Sequence, residues 1–228
     1  MKNTITIAAA IVIFGAMLPL SVAKFKSYDR TVDVKGLCER EVKADKAIWP
    51  ITYKVVSDDL SEIISQNEKY NRDIKNFLSG AGIDENEISV AAPQLSDKFA
   101  NEYGNNDRVY RYLCTTVITV CTSKVDKVLE LKARQDELLK KGITLSENWE
   151  NKTEFKFEGL NDIKPEMIAE ATASARESAQ KFAKDSHSKL GKIKQASQGI
   201  FSINDRDSNT PELKTVRVVT SVTYYLKR

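Results

Sequence analysis

Three cysteines, a single histidine and scattered carboxylates are the side chains of this sequence that could make or break bonds. Cys114 and Cys121 lie on one β-branched run. If that run is an extended strand they are about 23 Å apart, beyond the reach of a disulfide. Cys38 occupies an inward position of an earlier strand and could pair with either if the strands are neighbours. That allows at most one intramolecular disulfide, with Cys38 as a member, and an odd count leaves at least one thiol free or intermolecular. No C-x-x-C spacing occurs. Three buried thiols behaving as small hydrophobes is therefore the plainer expectation, with one structural disulfide or a redox role as the rivals.

His187 stands among Lys184, Asp185 and Lys189 on a helix flank, with no partner for general-base or triad chemistry, and solvent exposure is expected. One histidine also excludes a multi-histidine metal site. The chain has no G-x-S-x-G, no G-x-G-x-x-G and no P-loop. The acidic pairs Asp58-Asp59 and Asp136-Glu137 read as helix caps or solvated faces. No catalytic, cofactor-binding or metal-binding residue is assigned, no cofactor is expected, and no small-molecule ligand is identifiable. A non-enzymatic protein is the leading expectation. The alternative is an extracytoplasmic enzyme, a hydrolase or thiol oxidoreductase, whose site is built from residues distant in sequence.

The 35 Lys+Arg and 32 Asp+Glu leave a net charge of +3, without the basic stripe that a nucleic-acid backbone requires, so no nucleic-acid partner is expected. Lys189, Lys192 and Lys194 make a small basic patch near a helix C-terminus, where positive charge is favourable in any case. Lipid-binding switches use denser clusters. A hydrophobic fraction of 41% with nine Gly and five Pro is that of an ordinary globular protein.

Ile5 to Ala23 carries no charge, follows Lys2, and ends in Pro19 and the small residues Ser21-Val22-Ala23. Residues 1–23 therefore read as a cleaved signal peptide, or as an N-terminal anchor, since a span needs roughly 20 apolar residues. Possible membrane association is confined to residues 5–23. The mature domain is 24–228, in the periplasm or cell envelope.

Two periodicities then alternate. Period-2 runs at 31–42 and 47–55 predict a hairpin. Leu60, Ile63, Ile64, Tyr70, Ile74, Phe77 and Leu78 predict an amphipathic helix capped by Asp58 or Asp59. Strands are expected at 87–99 and 108–122, joined by the turn-rich loop 101–107. Helix two follows from Val125 to Gly142, a strand at 152–158, helix three at about 164–190, and strands at 192–204 and 214–227. Helix three carries Ile168, Ala171, Ala175, Ala179, Phe182, Ala183 and Leu190 on its inner stripe. The order β-β-α-β-β-α-β-α-β-β predicts an α+β fold of antiparallel sheets with helices on one face, with two intertwined lobes possible.

Several of these segments together resemble the SIMPL-domain (DUF541) family over residues 30–228. Val32-Asp33-Val34-Lys35-Gly36 followed by Lys43-Ala44-Asp45 is similar to its opening, with Ala44 where Pro is usual. Ala171, Ala175 and Ala179, then Leu190-Gly191-Lys192-Ile193, resemble its helix and strand entry. Val222-Thr223-Tyr224-Tyr225-Leu226 resembles its last strand, and Gly82-Ile83 and Gly142-Ile143 its turns. His187 falls where a helix-ending Gly is common, which implies a longer third helix. The resemblance implies an exported bacterial envelope protein, often oligomeric, with relatives linked to oxidative-stress tolerance or to membrane-associated channel-like assemblies. It carries over no catalytic residue.

Self-association is expected on independent grounds. Ile48 and Val56 lie opposite the Trp49 row, and Tyr110 and Tyr112 opposite Val109 and Leu113. A sheet covered on one face should be polar on the other, so surplus apolar side chains there predict a homo-oligomer. The rival is cover from within the chain, for example by the loop 101–107.

Overall fold

The structure is a computed structural model that describes Gly15 and residues 30–100, 109–146 and 151–227. The expected signal or anchor segment, apart from Gly15, and the loop 101–107 lie outside the described residues. The chain divides into two compact units. One takes the residues up to Arg40, Leu160–Asn204 and Thr215 onward; the other takes Glu41–Gly159 and Asp205–Lys214. The fold is α+β, with two antiparallel sheets.

In the first unit β1 (Thr31–Lys43), β9 (Leu213–Lys227) and β7 (Lys189–Gln198) lie in the order β1-β9-β7, and β8 (Ser202–Asp205) also pairs with β9. Alternation decides which face is buried: Val216, Val218, Thr220, Val222 and Tyr224 point inward, as expected, with Val34 and Cys38 from β1. Helix α4 (Leu160–Asp185) covers that face with Met167, Ala171, Ala175, Ala179 and Ala183, all buried. Small side chains here permit close approach. A Cβ on Gly36 of β1 would sit 1.9 Å from the Ala171 carbonyl oxygen.

Two expectations for α4 fail. Phe182 is 59% exposed and Ile168 only half-buried, because Met167, outside the expected stripe, and Ala183, within it, hold the inner positions beside them. Nor does the helix run on to 190. His187 adopts φ 51°, its N–H donates to Lys184 O, and the Ser188 N–H donates to Ala183 O at 2.8 Å. That is a Schellman stop, with histidine in the left-handed position that glycine favours.

In the second unit the sheet order is β3-β5-β2-β6, with β4 also on β5. Strands β2 (Lys46–Ser57) and β5 (Tyr112–Thr122) form its centre over eleven paired positions, from Ala47↔Thr122 to Ser57↔Tyr112. The expected hairpin of the first two strands does not form: β1 belongs to the other sheet. Strand β6 (Glu154–Lys156) pairs with β2 only as far as Ile48, and a single bridge joins Tyr53 to Leu145. Pro50 falls in the gap between them, where no ladder needs the N–H it lacks.

The expected strand 87–99 is two strands, β3 (Ile88–Val90) and β4 (Gln94–Asp97). Both pair with β5, but the register slips by one residue across Ala91–Pro93. Helix α1 (Leu60–Gly80) starts at Asp59, whose side chain accepts from Ser61 N at 2.7 Å. It lays Ile63, Asn67, Ile74 and Leu78 on the sheet. Helix two is also interrupted. It is α2 (Val125–Ala133) and α3 (Asp136–Lys140), separated by a tight turn at Arg134-Gln135 in which Arg134 N donates to Leu131 O. Trp49, Ile51, Tyr53, Ile118, Val128, Leu131 and Leu138 fill the core between sheet and helices. Each such burial contributes roughly 1.5–3 kcal/mol.

Candidate functional site

The cysteines are placed differently from one another. Cys38, 5% exposed on β1, donates its thiol hydrogen to Glu170 Oε2 of α4 at 3.0 Å. The Arg40 guanidinium grips the other oxygen of Glu170 at 2.7 Å and Glu166 at 3.0 Å. Burial, then the hydrogen bond and charge of Glu170, push the Cys38 thiol up to about 11, while the same contact with Cys38, aided by Arg40, holds Glu170 low. A thiol so held stays protonated and is a poor nucleophile. Cys114 is buried, 3.9 Å from Thr116 Oγ1. Cys121 is exposed, which corrects the expectation of three buried thiols, and all three are free rather than one of them pairing with Cys38. Cys114 faces the core and Cys121 the opposite side of the same strand.

His187 is exposed, as expected. The acidic pairs act locally: Asp58 accepts from Arg111 N at 2.7 Å, Asp59 caps α1, and Asp136 binds Lys140 at 2.6 Å. In the basic patch Lys194 lies over the Tyr225 ring, 5.6 Å from its centroid. Tyr112 packs on the core with Arg111 over its ring, so it belongs to the covered face and Leu113 to the other.

Sequence reasoning missed a buried polar network beneath α1. Tyr53 Oη donates to Asn67 Oδ1 at 2.7 Å, and Thr116 Oγ1 donates to the same oxygen at 2.7 Å. Burial pushes the Tyr53 phenol up to about 12. The signal was available: Asn67 sits four residues after Ile63 on a stripe that otherwise asks for hydrocarbon. Beside this network a groove of about 300 Å³ runs between α1 and β4, walled by Ile63, Ile64, Pro93, Leu95 and Cys114, with Asn67 and Asn71 among its lining. Ile64 and Leu95 are each about half exposed there, at 52% and 49%.

A second cavity of about 300 Å³, polar and open, is lined by Asp45, Lys46, Glu87, Cys121, Ser123 and Glu158. Its charges are engaged with one another. Lys46 Nζ reaches both Glu158 oxygens at 3.0 and 3.2 Å. Asp45 accepts from the backbone N–H groups of Glu158 and Gly159 at 2.8 and 2.7 Å. Glu87 accepts from Thr122 at 2.6 Å and from Lys124 at 3.1 Å, which together hold its carboxyl low against the opposing effect of burial.

The face of this sheet turned away from the helices pairs Ile48 with Cys121, Pro50 with Thr119, Thr52 with Val117, Lys54 with Thr115 and Val56 with Leu113. Val56 is 47% exposed, and Ile48, Pro50, Leu113 and Val117 are half-buried. Asn151 Nδ2 donates to Thr52 Oγ1, and Thr52 is buried. Five apolar positions on a face that no helix of the described residues covers are more than a solvated sheet face usually shows.

Among the described residues no group of three or more His, Cys, Asp or Glu side chains could hold a metal ion. No helix of the described residues is long and apolar enough to cross a membrane. Residues 32–224 match a family model described as SIMPL, a protein of unknown function (DUF541). Comparison with curated proteins finds no match.

Proposed function

The chain belongs to the SIMPL (DUF541) family, and from that premise we propose that it is an exported, non-enzymatic envelope protein that works by assembling with copies of itself. The observation that carries this reading is the partly exposed apolar row of the five-stranded sheet, where Val56 pairs with Leu113 and both lie away from the helices. Burying such a row against a second copy removes hydrocarbon from water at roughly 25 cal/mol per Å². The uncharged segment Ile5–Ala23 supports delivery across a membrane. Two of the three thiols support the non-enzymatic part: Cys38 holds its proton and Cys114 is enclosed, while Cys121 is exposed.

Light scattering on the protein isolated from its host tests the assembly. A species of several chain masses is expected, reduced in size by Val56→Asp combined with Leu113→Asp. A strictly monomeric wild type at high concentration overturns it. N-terminal sequencing of the same material tests export; a mature start at or near Lys24 is expected, and recovery from the cytosol with Met1 intact overturns that part.

A further inference from the structure

We propose that the free edge of β7 is a second self-contact, pairing antiparallel with β7 of another copy about Ala196; this rests on the self-assembly reading but uses a different surface. Strand β7 ends the path β1-β9-β7, so among the described residues one of its long edges has no neighbouring strand. It is also bare on its faces. Ile193, Ala196 and Gln198 pair with Tyr224, Val222 and Thr220 of β9, which are buried beneath α4, yet Ile193 is 49% exposed and the other two are exposed as well. The helical layer reaches only the start of β7, where Leu190 packs on the cluster of Ala175, Ala179, Val222 and Tyr224, and it leaves Ile193 to Gln198 exposed.

The two halves of the strand differ. Lys189, Lys192 and Lys194 lie in the first half, where the register with β9 shifts twice, between Leu190 and Ile193 and between Ile193 and Gln195. Charge and bulges are the usual guards of an edge. The second half, Gln195-Ala196-Ser197-Gln198, is uncharged and pairs regularly with β9. Gly199 N donates to Val219 O at 2.9 Å, so Gly199 turns its backbone groups toward β9. Alternation along an antiparallel strand turns those of Ser197 the same way and leaves those of Ala196 and Gln198 facing out. Two outward residues flanking Ser197 are a ready ladder for another strand.

The charge pattern selects the occupant and its direction. With Ala196 opposite its own copy, Lys194 lies opposite the uncharged Gln198 of the second chain. The two Lys194 side chains are then four residues, about 13 Å, apart, which exceeds the Debye length of about 8 Å at physiological salt. Parallel, in-register pairing would instead stack like charges at about 4.8 Å.

The test uses the full chain in sedimentation velocity. Ala196→Pro removes one outward N–H and leaves the bonds to β9 in place; the mass of the assembly is expected to fall by half or more at equal concentration. In a second variant, Ala196→Cys together with Cys121→Ser, mild oxidation is expected to give a covalent dimer on a non-reducing gel. That variant decides the matter if the proline variant does not fold. An assembly of unchanged mass in folded Ala196→Pro, or no covalent dimer, overturns the β7 contact while leaving self-assembly intact. A monomeric wild type overturns both.

Discussion

Cys38 Sγ and Glu170 Oε2 lie 3.0 Å apart with the proton on sulfur, so a strand cysteine serves as hydrogen-bond donor to a helix carboxylate. The cysteine that would have joined a disulfide, had one formed, is tied up as a thiol. Under native conditions an alkylating reagent is expected to modify Cys121 quickly and Cys38 and Cys114 only after denaturation, as mass spectrometry of the peptides would show. Rapid labelling of Cys38 would contradict the geometry.

Cys38 and Tyr53 together set an alkaline limit. Cys38 is raised from 9.0 to about 11 and Tyr53 from 10.0 to about 12, chiefly by burial. The folded chain holds these protons more tightly than the unfolded chain does. Their contribution to stability is therefore complete below about pH 9 and is lost as pH rises through the window from 9 to 12. Urea midpoints measured across that range are expected to fall. Cys38→Ala should flatten the lower part of the decline and Tyr53→Phe the upper.

Tyr53→Phe also removes one of the two donors to the buried Asn67 Oδ1. A cost of about 1–3 kcal/mol in unfolding free energy is expected. A neutral result would mean that the network is hydrated rather than closed.

His187→Gly is expected to raise stability by about 1 kcal/mol, because the residue at φ 51° carries a Cβ that the left-handed region penalises. Thermal melts would show it as an upward shift. A loss of stability would reveal a contact of the imidazole that the helix stop does not require.

Gly36→Ala is expected to destabilise severely, since its Cβ would meet the Ala171 carbonyl at 1.9 Å and backbone cannot give way as a side chain can. Gly80→Ala meets nothing within 4 Å and serves as the comparison, with a change of less than about 1 kcal/mol. Equal effects of the two would refute the close approach of β1 and α4.

Much of the architecture was legible because periodicity reports burial. The alternation of Val216 to Tyr224 and the four-residue spacing of Ala171 to Ala183 each name the face that lies inside. Pairing was not legible. Period 2 says which side of a strand is buried, not which strand lies beside it, so adjacency in sequence wrongly joined β1 to β2. Pro93 did mark the division between β3 and β4, but the one-residue slip depends on how β5 accepts both. The turn between α2 and α3 carries neither Gly nor Pro. At the candidate site, the surplus of apolar residues around Val56 and Leu113 was visible as pattern, whereas the free edge of β7 follows only from the strand order.

The way the chain is apportioned between its units has a consequence for the order in which they are made. Glu41–Gly159 supplies nearly all of one unit as a single stretch and lacks only Asp205–Lys214. The other unit sets β1 beside β9, which is synthesised only after the whole of that stretch. A growing chain can thus organise Glu41–Gly159 early, while β1 must wait, its inner face uncovered, until α4 and β9 emerge. Any stall or truncation before β9 is made leaves β1 without its partner, so the completion of β9 governs whether β1 ever folds.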